Sequence, residues 1–265
     1  HSFSTAVEDL AGNQSPKSPE TAFVIDTSQV AITITQVLDD EGSITGPFIN
    51  GGVTDDTTPT LVGQATPNSQ VKIYDNGVLL GSVTADAKGS WTYTPETALA
   101  EGDHHFTATA TTDAHGESDP TSAFDVKIDL TAPGKPGEGT NGGIDEVMDD
   151  VGLIQGPIAN GGHTDDTTPT LSGAGQVPGD TVIIKDNGKE IGRELVGDDG
   201  TWSFTPTPPL NDGNHDFTLV VTDPAGNASE ESDPYNVVID TSAPAQPLIV
   251  SVVDDQGNQV GPIEQ

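Results

Sequence analysis

Gly51-Gly52-Val53-Thr54-Asp55-Asp56-Thr57-Thr58-Pro59-Thr60-Leu61 returns 110 residues later as Gly161 to Leu171, with His163 in place of Val53. Working outward, Asp75-Asn76-Gly77 recurs as Asp186-Asn187-Gly188, and Gly89-Ser90-Trp91 as Gly200-Thr201-Trp202. A fixed period of this length marks tandem units built to one plan. Two whole copies run over 28–130 and 131–241. His1-Ser2-Phe3 through Asp26-Thr27 aligns with His215-Asp216-Phe217 through Asp240-Thr241, so 1–27 reads as the last two strands, F and G, of a preceding repeat. Val252-Val253-Asp254-Asp255 and Gly261-Pro262-Ile263 match Val37-Leu38-Asp39-Asp40 and Gly46-Pro47-Phe48, so 242–265 reads as the opening strand of a following one.

Within a unit the apolar period is two. Val71 and Ile73 alternate with Lys72 and Tyr74, Trp91 and Tyr93 with Thr92 and Thr94, and Phe106, Ala108 and Ala110 with threonines. That is the half-buried strand pattern, and no window reads as a helix. Asn76-Gly77 and Asn187-Gly188 are hairpin turns, since both residues tolerate positive φ. The spacing predicts strands A at 30–37, B at 60–65, C at 70–74, D at 78–84, E at 90–94, F at 105–112 and G at 124–129. The second unit follows by the offset, except that Gly134 to Gly143 has a loop composition and leaves its strand A short or replaced by coil. The expected fold is all-β: tandem immunoglobulin-like β-sandwiches of about seven strands in an elongated array.

The composition narrows the function. Of 265 residues, 42 are acidic and 8 basic, a formal charge of −34, which repels phosphate backbones and anionic lipid. Neither nucleic acid nor direct membrane insertion is expected, and no apolar run approaches the about 18–20 residues that span a bilayer. With no cysteine there is neither disulfide nor thiolate metal site. Asp supplies 29 of the acids, and Asp favours turns and is a common calcium ligand in loops.

The chain resembles the bacterial Ig-like repeats of giant adhesins exported by type 1 secretion, of the biofilm-associated protein type. The resemblance is carried by Ile44-Thr45-Gly46-Pro47, the Asn50 to Leu61 run, Asp75-Asn76-Gly77 and Gly89-Ser90-Trp91-Thr92. To these are added Asp223-Pro224-Ala225-Gly226-Asn227 and Ile239-Asp240-Thr241-Ser242-Ala243-Pro244. It covers essentially the whole chain. It implies a stalk module of a secreted surface adhesin, extracellular and monomeric, with calcium at or near the junctions between units. The implied partners are neighbouring repeats of the same chain, with host glycans bound by other parts of the adhesin.

Sandwich topology sorts the acids by pole. The C-terminal pole of the first full unit gathers Asp39, Asp40, Asp55, Asp56 and the exit residue Asp129. The next unit's N-terminal pole offers Asp223 and Asn227 in its F–G loop. Equivalent positions in the other copies complete the candidate Ca2+ ligands: Asp9, Asp26, Asp113, Asp149, Asp150, Asp165, Asp166 and Asp240. Calcium takes six to eight oxygens in flexible geometry, which suits clustered Asp, Asn and carbonyl groups. The alternative for each is plain turn chemistry, an Asp capping backbone amides. Asp86, Asp198 and Asp199 rank lower, as ordinary Asp-Gly turns.

Trp91 and Trp202 are expected in the core rather than on a sugar-stacking platform. His104, His105, His115, His163 and His215 show no convergent metal spacing, so the surface is expected for them. Catalysis finds no nucleophile elbow, no zinc-protease helix and no phosphate-cradling loop. The functional expectation is a calcium-rigidified spacer and not an enzyme. The alternative is a repeat that itself grips a glycan or host protein.

Overall fold

The computed structural model describes residues 1–22, 29–113, 115–254 and 261–262. Every regular element among them is a β-strand. Among the described residues no helix is long and apolar enough to cross a membrane. The chain divides into two compact units, His1–Leu130 and Thr131–Gln265.

The first unit opens with an antiparallel hairpin, β1 (Ser2–Phe3) against β2 (Thr21–Ala22). Its sandwich is built from β3 (Ile32–Asp39), β4 (Gly46–Phe48), β5 (Gly52–Thr54), β6 (Thr60–Ala65), β7 (Gln70–Asp75), β8 (Val78–Thr84), β9 (Ser90–Tyr93), β10 (Gly102–Thr111) and β11 (Phe124–Ile128). One sheet has the order β4-β3-β6-β9, the other β5-β11-β10-β7-β8.

The second unit repeats the plan with β12 (Glu146–Asp149), β13 (Gly156–Pro157), β14 (Gly162–Thr164), β15 (Thr170–Gly173), β16 (Thr181–Asp186), β17 (Lys189–Leu195), β18 (Trp202–Phe204), β19 (Gly213–Thr222) and β20 (Tyr235–Ile239). Its sheets are β13-β12-β15-β18 and β14-β20-β19-β16-β17. The opening strand β12 has 4 residues where β3 has 8, the shortening that the glycines of 134–143 lead one to expect. A last pair, β21 (Val253–Asp254) and β22 (Gly261–Pro262), aligns Val253 with Pro262 as β3 and β4 align Leu38 with Pro47.

Two details differ from the sequence reading. Strand A begins at Ile32 rather than residue 30 and runs on to Asp39. The A–B segment contributes two more short strands, making nine per sandwich. In it the chain leaves one sheet after β4, turns at Gly51 with φ +86°, and β5 joins the other sheet parallel to β11. Pro47 and Pro157 are tolerated there because β4 and β13 are edge strands, where no ladder donor is needed. As the hairpin reading of Asn76-Gly77 implies, the fourth strand β8 stays beside β7 in the sheet of F and G. Asn76 and Gly77 have φ of 48° and 79°, a two-residue primed turn, and such a turn joins only adjacent strands.

The cores are small and tightly closed. Val37, Leu61, Val71, Ile73, Phe106 and Ile128 are fully buried in the first sandwich, and Val147, Leu171, Ile184, Phe217 and Leu219 in the second. Each such side chain contributes about 1.5–3 kcal/mol relative to exposure, whereas exposed ion pairs such as Arg193–Glu190 give about 0–1 kcal/mol. Packing therefore holds these units, against their charge. Two aromatic seats repeat. Trp91 lies over Gly63, where an added Cβ would come within 2.3 Å of the ring, and Trp202 lies over Gly173. Tyr93 and Phe204 lie in the same way over Gly81 and Gly192.

A hydroxyl clip completes the fold. β11 pairs only with the first half of β10, so the amides of Ala108 and Ala110 face an edge without a strand partner there. Thr121 Oγ1 and Ser118 Oγ accept them at 3.1 and 3.0 Å. Ser232 and Ser229 do the same for Leu219 and Val221, and Ser18 and Ser15 for Thr5 and Val7. The spacing Ser-x-x-Ser/Thr occurs at all three places in the sequence. It supplies the acceptors that a longer strand G would have supplied, and buried amides left bare are costly.

Candidate functional site

The A–B carboxylates of each sandwich form one interlocked knot. Thr54 donates its hydroxyl to Asp39 Oδ2 at 2.6 Å, and the Glu41 amide donates to Asp39 Oδ1 at 3.0 Å. Asp56, with no exposed surface, accepts the Thr58 amide at 2.7 Å, and its other oxygen lies 3.4 Å from the Asp40 amide. The Asp55 carboxylate packs on Gly42, whose φ of +66° lets the chain pass beneath it. The second sandwich repeats the knot. Thr164 donates to Asp149 at 2.6 Å, Val151 donates to Asp149, Thr168 donates to Asp166, and Asp165 packs on Gly152. Asp40, Asp150 and Asp165 remain exposed. Burial, with smaller contributions from Asp40 and Asp39, pushes the Asp56 carboxyl up from its ordinary range.

The knot is a stabilising device before it is anything else. Thr54→Val, which keeps the shape and removes the hydroxyl, strands a buried carboxylate oxygen and also the Asp56 amide, which donates to Thr54 Oγ1 at 3.0 Å. The expected cost is about 1.5–3 kcal/mol, because hydrogen bonds to charged groups are the stronger ones. Thr164→Val should cost the second sandwich as much. Denaturant titration of the whole chain, following both units, measures it.

At the other pole, Asp223 Oδ1 accepts the amides of Ala225, Gly226 and Asn227, each at 2.9 Å, and Oδ2 accepts the Asn227 side-chain amide. Asp9 holds Ala11 and Asn13 in the same way, and these bonds pull its carboxyl below the usual range. The corresponding loop of the first sandwich is one residue shorter from Asp113 to Ser118 and lacks the Asn. It closes instead through the His115 amide on the Thr112 carbonyl, and Asp113 stays exposed. Asp86 and Asp199 cap their own turns.

Asp180 differs from all of these. It is 4% exposed, and no donor among the described residues reaches its carboxylate, while Thr181 pairs with Thr222 so that the next rung sets Asp180 beside Asp223. Burial first, and the Asp223 charge second, push it up to about 6. The equivalent residue of the first sandwich is Ser69, fully buried, its hydroxyl without a partner among the described residues. Sequence reasoning passed over both positions.

Of the remaining candidate ligands, Asp129 is engaged by Lys127 at 2.9 Å, and Asp240 is held by Ser242, whose side chain first and backbone amide second lower its carboxyl. Asp26 lies outside the described residues. Among the described residues no three acid or His side chains converge as a metal-holding group. Asp9, Asp39, Asp56, Asp149, Asp166, Asp223 and Asp240 each accept a backbone amide close to them in sequence.

The histidines need a correction. His104 and His215, expected at the surface, are each 7% exposed. They sit on the inward-facing side of β10 and β19, two residues before Phe106 and Phe217. His105, one step along, is exposed and pairs with Asp125.

The chain belongs to the bacterial Ig-like domain family, whose model matches residues 31–130 and again 154–241. Among solved structures it is similar to the fibronectin(III)-like modules of CbhA from Clostridium thermocellum, at 14% identity over 79% of this chain and 94% of that one, with a TM-score of 0.41. It is also similar to the BSP domain of a biofilm associated protein, at 16% identity over 80% of this chain and 30% of that one, TM-score 0.26. A third likeness is to a tetra-tandem repeat in the extending region of a large adhesion protein, at 22% identity over 89% of this chain and 55% of that one, TM-score 0.28. No curated protein matches the chain.

Proposed function

We propose that this chain is a spacer segment of a bacterial surface adhesin, working outside the cell. Its two sandwiches supply length and are not themselves catalytic. The observation that carries the reading is the duplicated A–B knot. Both units spend the same Asp and Thr residues on stiffening the same pole, and a receptor-binding unit would need loops of its own. The adhesive role named for the biofilm associated protein and the large adhesion protein comes to this chain as part of the same proposal.

Calcium enters as an expectation of the family likeness. Asp40, Asp113, Asp150 and Asp165, exposed residues among the candidate ligands, are the ones best placed to meet it. Extracellular modules bind calcium with dissociation constants of about 10⁻⁴–10⁻³ M, and a ligand at 100 times its constant stabilises by about 2.7 kcal/mol per site. The test is melting and small-angle scattering of the 265-residue chain in millimolar calcium, in magnesium and in chelator. A higher melting temperature and an altered scattering profile in calcium alone support a calcium-stiffened spacer. Coincident curves leave a spacer stiffened by its own caps. Retention on a glycan array or on host cells would favour the alternative, a repeat that binds directly.

A further inference from the structure

Each sandwich buries one imidazole against two acceptors. His104 Nδ1 lies 2.8 Å from Asp75 Oδ2, and its Nε2 lies 2.8 Å from the Ala100 carbonyl oxygen. His215 meets Asp186 Oδ2 and the Asn211 carbonyl at the same two distances. A neutral imidazole has one N–H and one lone pair. In this setting it would turn the lone pair onto an oxygen at hydrogen-bond distance. An imidazolium donates to both.

The surroundings hold the ring in that position. Asp75 Oδ1 accepts the His105 amide at 3.2 Å and the Asn76 side-chain amide at 3.1 Å, which fixes the carboxylate as an acceptor. The rings stack on Phe106 and Phe217 at 6.0 and 5.9 Å, with interplanar angles of 14° and 15°. The charged neighbours are few. By strand alternation Asp103, His105, Asp125 and Lys127 point to the far face of the first sheet, and Glu96 and Glu101 lie in the loop before β10. In the second unit Lys189 and Glu190 of β17 line the same cleft as Asp186 and His215, while Asp212 is engaged by Thr241 and Asp216 by Asn236. Asp75 and Asp186 are the groups in direct contact.

We propose that His104 and His215 are held as imidazolium ions and serve as proton-set latches on the loop between strands E and F. The latch ties the end of β7 or β16, the start of β10 or β19, and the loop itself. That loop also donates from Leu99 to the Thr57 carbonyl, and from Leu210 to Thr167, beside the Asp knot. Loss of the proton removes one of the ring's two bonds and loosens the loop there. The duplication in two units whose loops differ in sequence, Ala100 in one and Asn211 in the other, argues for a built arrangement.

The test is ¹⁵N NMR of the full chain with labelled histidine, at about pH 5.5 and about pH 7.5, bracketing the free imidazole range. Of the 6 histidines, His104 and His215, assigned through H104Q and H215Q, should show the imidazolium pattern at both pH values. The amides of 94–101 and 205–212 should exchange about tenfold faster, after correction for intrinsic rates, once the ring is neutral, as losing one such hydrogen bond implies. Asp75→Asn and Asp186→Asn keep the shape and an acceptor while removing the charge, so these rings should turn neutral by the higher pH in a folded chain. A neutral pattern in the unaltered chain at the higher pH overturns the proposal. So does an imidazolium pattern that persists in the Asn variants.

Discussion

Trp91→Ala lowers the stability of the first sandwich by about 3–5 kcal/mol, and Trp202→Ala that of the second by as much. The rings are 3% and 4% exposed, and each lies flat on a glycine of the neighbouring strand. Their indole N–H groups have no partner among the described residues, so what is lost is packing and not a hydrogen bond. In a unit of this size 1 kcal/mol moves the melting temperature by about 4–8 °C, so the transition of the altered unit should fall by tens of degrees. Calorimetry of the whole chain resolves the point, because two units with separate cores need not melt as one. Only the mutated unit's transition should move. An unchanged transition would place that ring at the surface and restore the sugar-platform reading.

Much of this fold was legible because its strongest signals are local. The 110-residue echo, the period-two strands and the Asn-Gly turns each act over a few residues, and the structure follows them closely. The Asn76-Gly77 hairpin turn sets strand D beside strand C, and β8 lies beside β7. What stayed hidden depends on partners far apart in sequence. β4 and β5 are 3 residues each, too short to show a period, and exist because β3 and β11 offer edges. The hydroxyl clip is visible as Ser-x-x-Ser/Thr only once strand F is known to run past strand G.

The candidate site divides along the same line. Topology sorts the acids by pole, yet their roles turn on contacts that spacing does not display. Asp39 meets Thr54 across 15 residues, and Asp75 meets His104 across 29. Asp223 was the readable case, since Asp-x-x-x-Asn with an intervening glycine at φ +105° is a self-capping loop. His104 was misread although its alternation with Phe106, Ala108 and Ala110 already sets it on the inward face; what spacing does not display is the Asp75 carboxylate that lets a polar ring sit there.

Asp180→Ser stabilises the second sandwich at neutral pH, installing the residue that the first sandwich already carries at Ser69. The buried Asp180 carboxyl titrates near 6, against 3.8 for an unperturbed side chain. Between those values the folded chain keeps a proton that the unfolded chain has given up, so stability falls as pH rises from about 4 to about 6 and stays low above that. Such a gap is worth about 3 kcal/mol at full strength, and relaxation of the folded unit around the charge brings the expected effect to about 1–2 kcal/mol. The variant should therefore gain that much over the parent chain at pH 7.5 and little near pH 3, below the unperturbed 3.8, where this carboxyl is largely protonated in the folded and the unfolded chain alike. Asp180→Asn is the second arm, since it removes the charge with almost no change of shape. Comparing differences between variant and parent cancels the titration of the other acids, which differs little between them. An equal gain at both pH values would assign the effect to packing, and a loss at neutral pH would mean that the charge is compensated in the folded unit. The sign is the decisive reading: removing this one carboxylate from a chain of charge −34 strengthens a unit first by sparing it a buried charge, and second by ending the repulsion with Asp223.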